Sequence, residues 1–146
     1  MKLNVYLAGE IHTNWRDELI LLASERGLPI FFGAPVTNHE ESDMVGVNIL
    51  GAEESPYWRD RKGAGVNGIR TRTLMEKSDL VIARFGTKYR QWNTAFEAGY
   101  ASALGKPLIV IHDPELDHAL KEVDCVAMAV AQTPVQVIEV LAYVCS

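Results

Sequence analysis

Glu97 is the side chain best placed to do chemistry, because it opens a helix predicted over residues 94–104 that follows a buried strand. Helical Cβ atoms tilt toward the helix N-terminus, so this carboxylate is expected to point into the crevice beyond that strand. The helix dipole there favours the ionised form that a nucleophile or an electrostatic stabiliser needs. The spacing of Thr94 and Glu97 also fits a capping box, and spacing alone favours this structural role.

Three other titratable side chains are candidates for proton transfer next to that carboxylate. Glu10 and His12 follow the first predicted strand directly and are the preferred acid or base, whereas Asp113 follows the fourth strand. The alternative, that each is a solvated loop residue, fits the sequence equally well. Asp79 precedes a strand and therefore lies at the opposite edge, where a turn or capping role is expected.

The loop over residues 86–93 and the end of the strand before it mix aromatic and basic side chains. Such a mixture suits stacking on a base beside charge neutralisation, although aromatic residues in loops more often only pack the loop down. The residues expected to contact a substrate at this edge are Tyr6, Gly9, Phe85, Tyr89, Trp92, Asn93, Thr94 and Asp113.

A Gly-x-Gly-x-x-Gly pattern runs from Gly63 to Gly68. It follows a charged loop instead of a strand, and no acidic residue lies about twenty positions on, so a dinucleotide site is rejected. The glycines are predicted to open a helix, where Arg59, Arg70 and Arg72 would form an anion site for a nucleotide phosphate. A solvated basic loop is the favoured alternative.

Strands and helices are predicted to alternate along the chain. Strands are expected at residues 3–8, 29–32, 80–85, 108–112 and 126–130, and helices at 14–27, 40–50, 69–78, 94–104, 115–123 and from 134 onward. The segment 33–68 shows poor periodicity, with a polar loop over 57–62. Alternation requires crossover connections, hence a parallel sheet with helices on both faces.

These elements predict a single flavodoxin-like domain over residues 1–146, with a doubly wound sheet of strand order 2-1-3-4-5. In that order the ligand crevice lies at the carboxyl edge, between the first and third strands. The loop 9–14 is therefore expected beside the loop 86–93.

Composition narrows the class of partner. The chain has 146 residues, 48% hydrophobic content and a formal net charge of -5, which argues against binding a nucleic acid polymer through overall charge. Apolar runs are too short to span a membrane, and no signal peptide is visible, so a cytoplasmic protein is expected. Cys125 and Cys145 suggest no disulfide framework, and the histidines show no metal-ligand spacing, so neither a metal nor another cofactor is expected.

The segment 79–83 and the block 93–107, which reads Asn-Thr-Ala-Phe-Glu-Ala-Gly-Tyr-Ala-Ser-Ala-Leu-Gly-Lys-Pro, resemble the nucleoside 2-deoxyribosyltransferase superfamily. The segment 6–9 carries the same resemblance, and end to end the chain is most similar to the YtoQ group. The resemblance implies that Glu97 attacks the anomeric carbon of a nucleoside, giving a glycosyl-enzyme that passes the sugar to another base or to water. It also implies a homo-oligomer. Where the superfamily carries an aspartate before the third strand, this chain reads Arg70-Thr71-Arg72.

Two functions from different classes are consistent with these residues. The first is a glycosyltransferase or N-glycoside hydrolase acting on a nucleoside or nucleotide, with Glu97 as the nucleophile. The second is a non-catalytic nucleotide-binding or sensing module, suggested by the missing aspartate. A flavodoxin-like redox protein follows from the fold class alone.

Overall fold

Five short apolar runs form the sheet in the computed structural model, which describes residues 1–146. The strands are β1 (Leu3–Gly9), β2 (Ile30–Gly33), β3 (Leu80–Arg84), β4 (Leu108–Ile111) and β5 (Ala129–Ala131). Their order is 2-1-3-4-5, and every neighbouring pair is parallel. The predicted fold class and strand order are therefore confirmed.

Helices cover both faces of this sheet. They are α1 (Trp15–Glu25), α2 (His39–Leu50), α3 (Pro56–Lys77), α4 (Trp92–Ala103), α5 (Lys121–Val126) and α6 (Pro134–Cys145). Side chains of β1 alternate between two cores: Val5 and Leu7 pack with α1 and α6, whereas Tyr6 and Ala8 pack with α3 and α4. No helix is both long enough and apolar enough to cross a membrane.

The charged segment 57–62, predicted as a polar loop, belongs to α3, so that prediction was wrong. The glycine pattern lies in the interior of this helix and does not open it, which also removes the predicted helix N-terminus as an anion site. A Cβ at Gly46 would lie 2.4 Å from the Gly63 nitrogen, so these glycines allow α2 and α3 to cross in close contact. This close packing offsets the poor helix propensity of glycine. Because glycines and not apolar side chains form the contact, the sequence shows no periodic apolar pattern in this segment.

The region after β4 also differs from the prediction. The helix expected over 115–123 is replaced by a 3₁₀ turn, Pro114–Leu116, and by α5, while β5 begins later than expected at Ala129. The buried His112 explains the shift, because its Nε2 lies 3.1 Å from both carboxylate oxygens of Asp124 and holds α5 against the end of β4.

Candidate functional site

The loops that leave β1 and β3 meet at the carboxyl edge of the sheet. Gly9 has a φ of 125°, and a Cβ there would lie 2.3 Å from the Arg84 carbonyl oxygen. The Glu10 backbone N–H donates to that same carbonyl at 3.1 Å. In the second loop, Gly86 N–H donates to Gln91 Oε1 at 2.8 Å. The predicted crevice is thus framed by two loops, the first held by backbone contacts with Arg84 and the second by the Gln91 side chain.

A cavity of about 1030 Å³ opens above this edge, a size at the upper end of small-molecule sites. Both loops line it, together with parts of α2, α3 and α4. Its charged side chains are Glu10, Asp43, Arg70, Arg72, Arg90 and Glu97.

Glu97 lines the cavity and does not cap its helix. Because α4 begins at Trp92, Thr94 lies inside the helix, where its buried hydroxyl has no hydrogen-bond partner. The capping box favoured by the spacing is therefore absent. The Glu97 carboxylate accepts no hydrogen bond from the protein, so it is free to meet a ligand.

Two opposing effects set the charge of Glu97. Burial raises its pKa and the positive charge of Arg16 lowers it, and together they bring the pKa from 4.5 to about 7. The helix dipole was expected to favour the ionised form, and the balance is instead dominated by desolvation. Near neutral pH the group is divided between its acid and carboxylate forms.

Arg16 was missed by the sequence interpretation. Its guanidinium is buried and donates to three carbonyl oxygens at the end of β1, those of Leu7 at 3.2 Å, Gly9 at 2.8 Å and Glu10 at 2.6 Å. Burial lowers the pKa of Arg16, and the negative charges of Glu10 and Glu97 oppose this shift. One feature of the sequence could have identified Arg16. It lies three residues before Leu19, so a helix places this charged side chain on the apolar face of α1.

Glu10 holds the β1 exit loop together. Its carboxylate accepts from the backbone N–H groups of His12 at 2.6 Å and Thr13 at 3.0 Å, and from the Thr13 hydroxyl. Burial would raise the pKa of Glu10, but these hydrogen bonds and the charge of Arg84 hold it below the usual value. Glu10 therefore stays ionised, with both oxygens occupied.

His12 is exposed and lines the cavity, with its ring centroid 4.6 Å from that of Tyr89. Tyr6 lies below them in the core, and its hydroxyl donates to Thr71 Oγ1 at 3.4 Å. Burial and the charge of Glu97 both raise the pKa of Tyr6, which therefore remains a neutral phenol. The Thr71 hydroxyl is therefore paired with Tyr6 at the base of the cavity.

The structure brings some of the other predicted site residues together and separates the rest. Gly9, Arg70, Arg72, Tyr89 and Asn93 line the cavity. Phe85 and Thr94 are buried in the core, and Trp92, Asp113 and Arg59 also lie outside the cavity lining. Arg59 contacts Asp60 at 3.1 Å instead. Asp79 has the structural role expected of it, since its carboxylate accepts from Asn4 N–H at 2.8 Å.

Two residues of α2 complete the wall in a way that sequence reasoning did not anticipate. His39 Nδ1 lies 3.0 Å from Asp43 Oδ2, and both line the cavity. Their four-residue spacing on a helix was the signal that could have paired them. Nowhere in the chain do three or more His, Cys, Asp or Glu side chains gather in a group that could hold a metal ion.

Comparison with known proteins agrees with this geometry. The chain is 47% identical over 143 residues to the uncharacterized protein YtoQ of Bacillus subtilis (strain 168), covering 98% of this chain and 97% of that one. A solved 2-deoxyribosyltransferase from Bacillus psychrosaccharolyticus shares the fold, with a TM-score of 0.54 and 20% identity over 92% of this chain and 90% of that one. The family profile described as nucleoside 2-deoxyribosyltransferase YtoQ matches residues 6–145. The chain therefore belongs to the YtoQ family, which is nucleoside 2-deoxyribosyltransferase-like.

Proposed function

We propose that the protein cleaves or transfers the N-glycosidic bond of a nucleoside or nucleotide, with Glu97 as the nucleophile. One observation carries this proposal: the Glu97 carboxylate lines a cavity at the carboxyl edge and is engaged by no protein donor. The family profile and the solved 2-deoxyribosyltransferase support the same class of reaction.

The reaction follows from the charge state of Glu97. A carboxylate oxygen bonds to C1′ of the sugar while the C1′–N bond breaks and its electron pair leaves with the base. A second base or water then attacks C1′ from the opposite side and releases Glu97, so the configuration at C1′ is retained. Arg16 favours the ionised carboxylate that the first step requires.

His12 is our candidate for handling the proton of the leaving base. Its imidazole reaches the cavity beside Tyr89, whereas both oxygens of Glu10 are already occupied in the loop. An imidazole can both donate and accept a proton, as the two halves of the reaction require. We therefore assign proton transfer to His12 and loop positioning to Glu10.

A substrate panel tests the proposal. The protein is incubated with deoxynucleosides, ribonucleosides and their 5′-monophosphates, with and without acceptor bases, and released or exchanged base is separated by chromatography. Glu97→Gln keeps the shape of the side chain but removes the nucleophile, so turnover should fall by at least about 1000-fold. Glu18→Gln, the same change at an exposed site on α1, is the matched control and should retain activity. Full activity in Glu97→Gln would exclude the nucleophile role.

A second candidate is a nucleotide-binding or sensing module without turnover. It is favoured by the segment Arg70-Thr71-Arg72, where the resemblance implies an aspartate and where the Thr71 hydroxyl is paired with Tyr6. Saturable nucleotide binding, with no base released from any substrate in the panel, would establish this function. Turnover by the wild-type protein would exclude it.

A further inference from the structure

Three arginines in the cavity have no acidic partner. Arg70 and Arg72 come from α3, and Arg90 comes from the loop after β3. None of them forms an ion pair with any carboxylate of the chain. Each guanidinium carries five N–H donors, so most of these donors are left for a ligand.

The few protein contacts of these arginines orient them without neutralising them. Arg70 Nη2 donates to the Ala34 carbonyl at 3.3 Å. The Arg72 guanidinium lies over the Tyr100 ring, 5.6 Å from its centroid, and Tyr100 itself lines the cavity. Stacking on an aromatic face holds a guanidinium in position while its edge stays available for hydrogen bonds.

The acidic groups of the cavity are committed elsewhere. Glu10 is bound within its own loop, and Asp43 pairs with His39 at 3.0 Å. Glu97 is partly protonated near neutral pH because burial raises its pKa to about 7. Although the whole chain carries a net charge of -5, this cavity therefore offers unpaired positive charge.

We infer that the substrate is phosphorylated, a nucleotide whose phosphate is bound by Arg70, Arg72 and Arg90 while its sugar faces Glu97. The inference rests on the proposed function and deepens it by selecting nucleotides over free nucleosides. Guanidinium groups match phosphate oxygens with paired hydrogen bonds, which a neutral sugar hydroxyl does not require. Arg59, on the same helix, takes no part because it lies outside the cavity beside Asp60.

Calorimetry on Glu97→Gln, which prevents turnover, tests the inference. Deoxynucleoside 5′-monophosphates should bind roughly 10- to 100-fold tighter than nucleosides with the same base, and added salt should reduce this preference. Arg72→Gln should weaken monophosphate binding about 10-fold and leave nucleoside binding unchanged. Arg59→Gln, an equal loss of charge on α3 outside the cavity, is the matched control and should change neither. Equal affinity for nucleoside and monophosphate would overturn the inference.

Two further measurements separate this inference from the proposed function and identify the source of the phosphate. If inorganic phosphate or ribose 5-phosphate binds as tightly as the monophosphates, the site does not select nucleotides and the inference fails. If the wild-type protein releases base equally well from nucleosides and monophosphates, the inference fails while the glycosidic reaction stands. Tight monophosphate binding that depends on Arg72, without base release, would support the phosphate site and reject the reaction.

Discussion

Glu97 sets the pH dependence expected of the reaction, because only its ionised form attacks C1′. Its pKa is raised to about 7, chiefly by burial, so kcat/KM should increase with pH up to about this value. The measurement is a pH–rate profile of kcat/KM on the best substrate of the panel. A profile already flat from about pH 5 upward, as an ordinary solvated glutamate would give, would contradict the buried carboxylate.

Arg16 should determine the pH at which kcat/KM increases. Its positive charge lowers the pKa of Glu97, so Arg16→Met should move the rising limb to higher pH. The variant should also lose roughly 2 to 4 kcal/mol of stability, because three carbonyl oxygens lose a charged donor.

Arg16→Lys is the matched control for that experiment. Lysine keeps the positive charge, but its ammonium group cannot donate to all three carbonyl oxygens as the planar guanidinium does. Stability should therefore fall, while kcat/KM should rise at nearly the same pH as in the wild type. If the rise in kcat/KM shifts to the same higher pH in both variants, loop geometry and not charge sets the pKa of Glu97.

Single residues differed in how far the sequence revealed them. Glu97 could be identified because a carboxylate in the first turn of a helix that follows a buried strand points toward the crevice at the carboxyl edge of the sheet. Its capping role was predicted incorrectly because α4 begins two residues before Thr94. Arg16 went unnoticed because the carbonyls that it binds become available only when α1 packs on the end of β1.

At the level of elements, the contact between α2 and α3 depends on two glycines. A Cβ on Gly63 would lie 2.9 Å from the Asp43 carbonyl oxygen, so Gly63→Ala should push the helices apart and lower the free energy of unfolding by about 1 to 3 kcal/mol. Chemical denaturation of the purified variant measures this loss.

Gly65 is the matched control within the same helix. A Cβ there meets no atom within 4 Å, so Gly65→Ala should raise stability by roughly 0.5 to 1 kcal/mol through improved helix propensity. If both alanine variants were stabilised, the close helix crossing would not be a constraint in solution.

The strands and the C-terminal half of α3 could be predicted from the sequence, but the N-terminal half of α3 could not. Strands β1, β3 and β4 are apolar runs buried on both faces, a local signal that needs no tertiary information. The N-terminal half of α3 has few apolar residues and several glycines, and it becomes helical by packing on α2. The helical state of this N-terminal half is therefore a tertiary property.

At the scale of the whole molecule, the site and the stability of the fold are coupled through Glu97. The fold raises the pKa of this group from 4.5 to about 7, so the native state holds a proton that the unfolded chain has already released. Stability therefore falls as pH rises between these two values, by up to about 3 kcal/mol, and the loss persists above them.

Glu97→Gln isolates this coupling because glutamine resembles the protonated acid at every pH. Below about pH 4.5 both proteins carry a neutral side chain at position 97 and should unfold at nearly the same temperature. Above about pH 7 the variant should melt roughly 6 to 12 °C higher than the wild type, since it buries no charge. Glu10 titrates in both proteins and cancels in the comparison. Calorimetric melting curves of the two proteins at matched pH provide the test. If the difference in melting temperature does not change with pH, Glu97 is solvated in the free protein. Its burial would then require bound substrate.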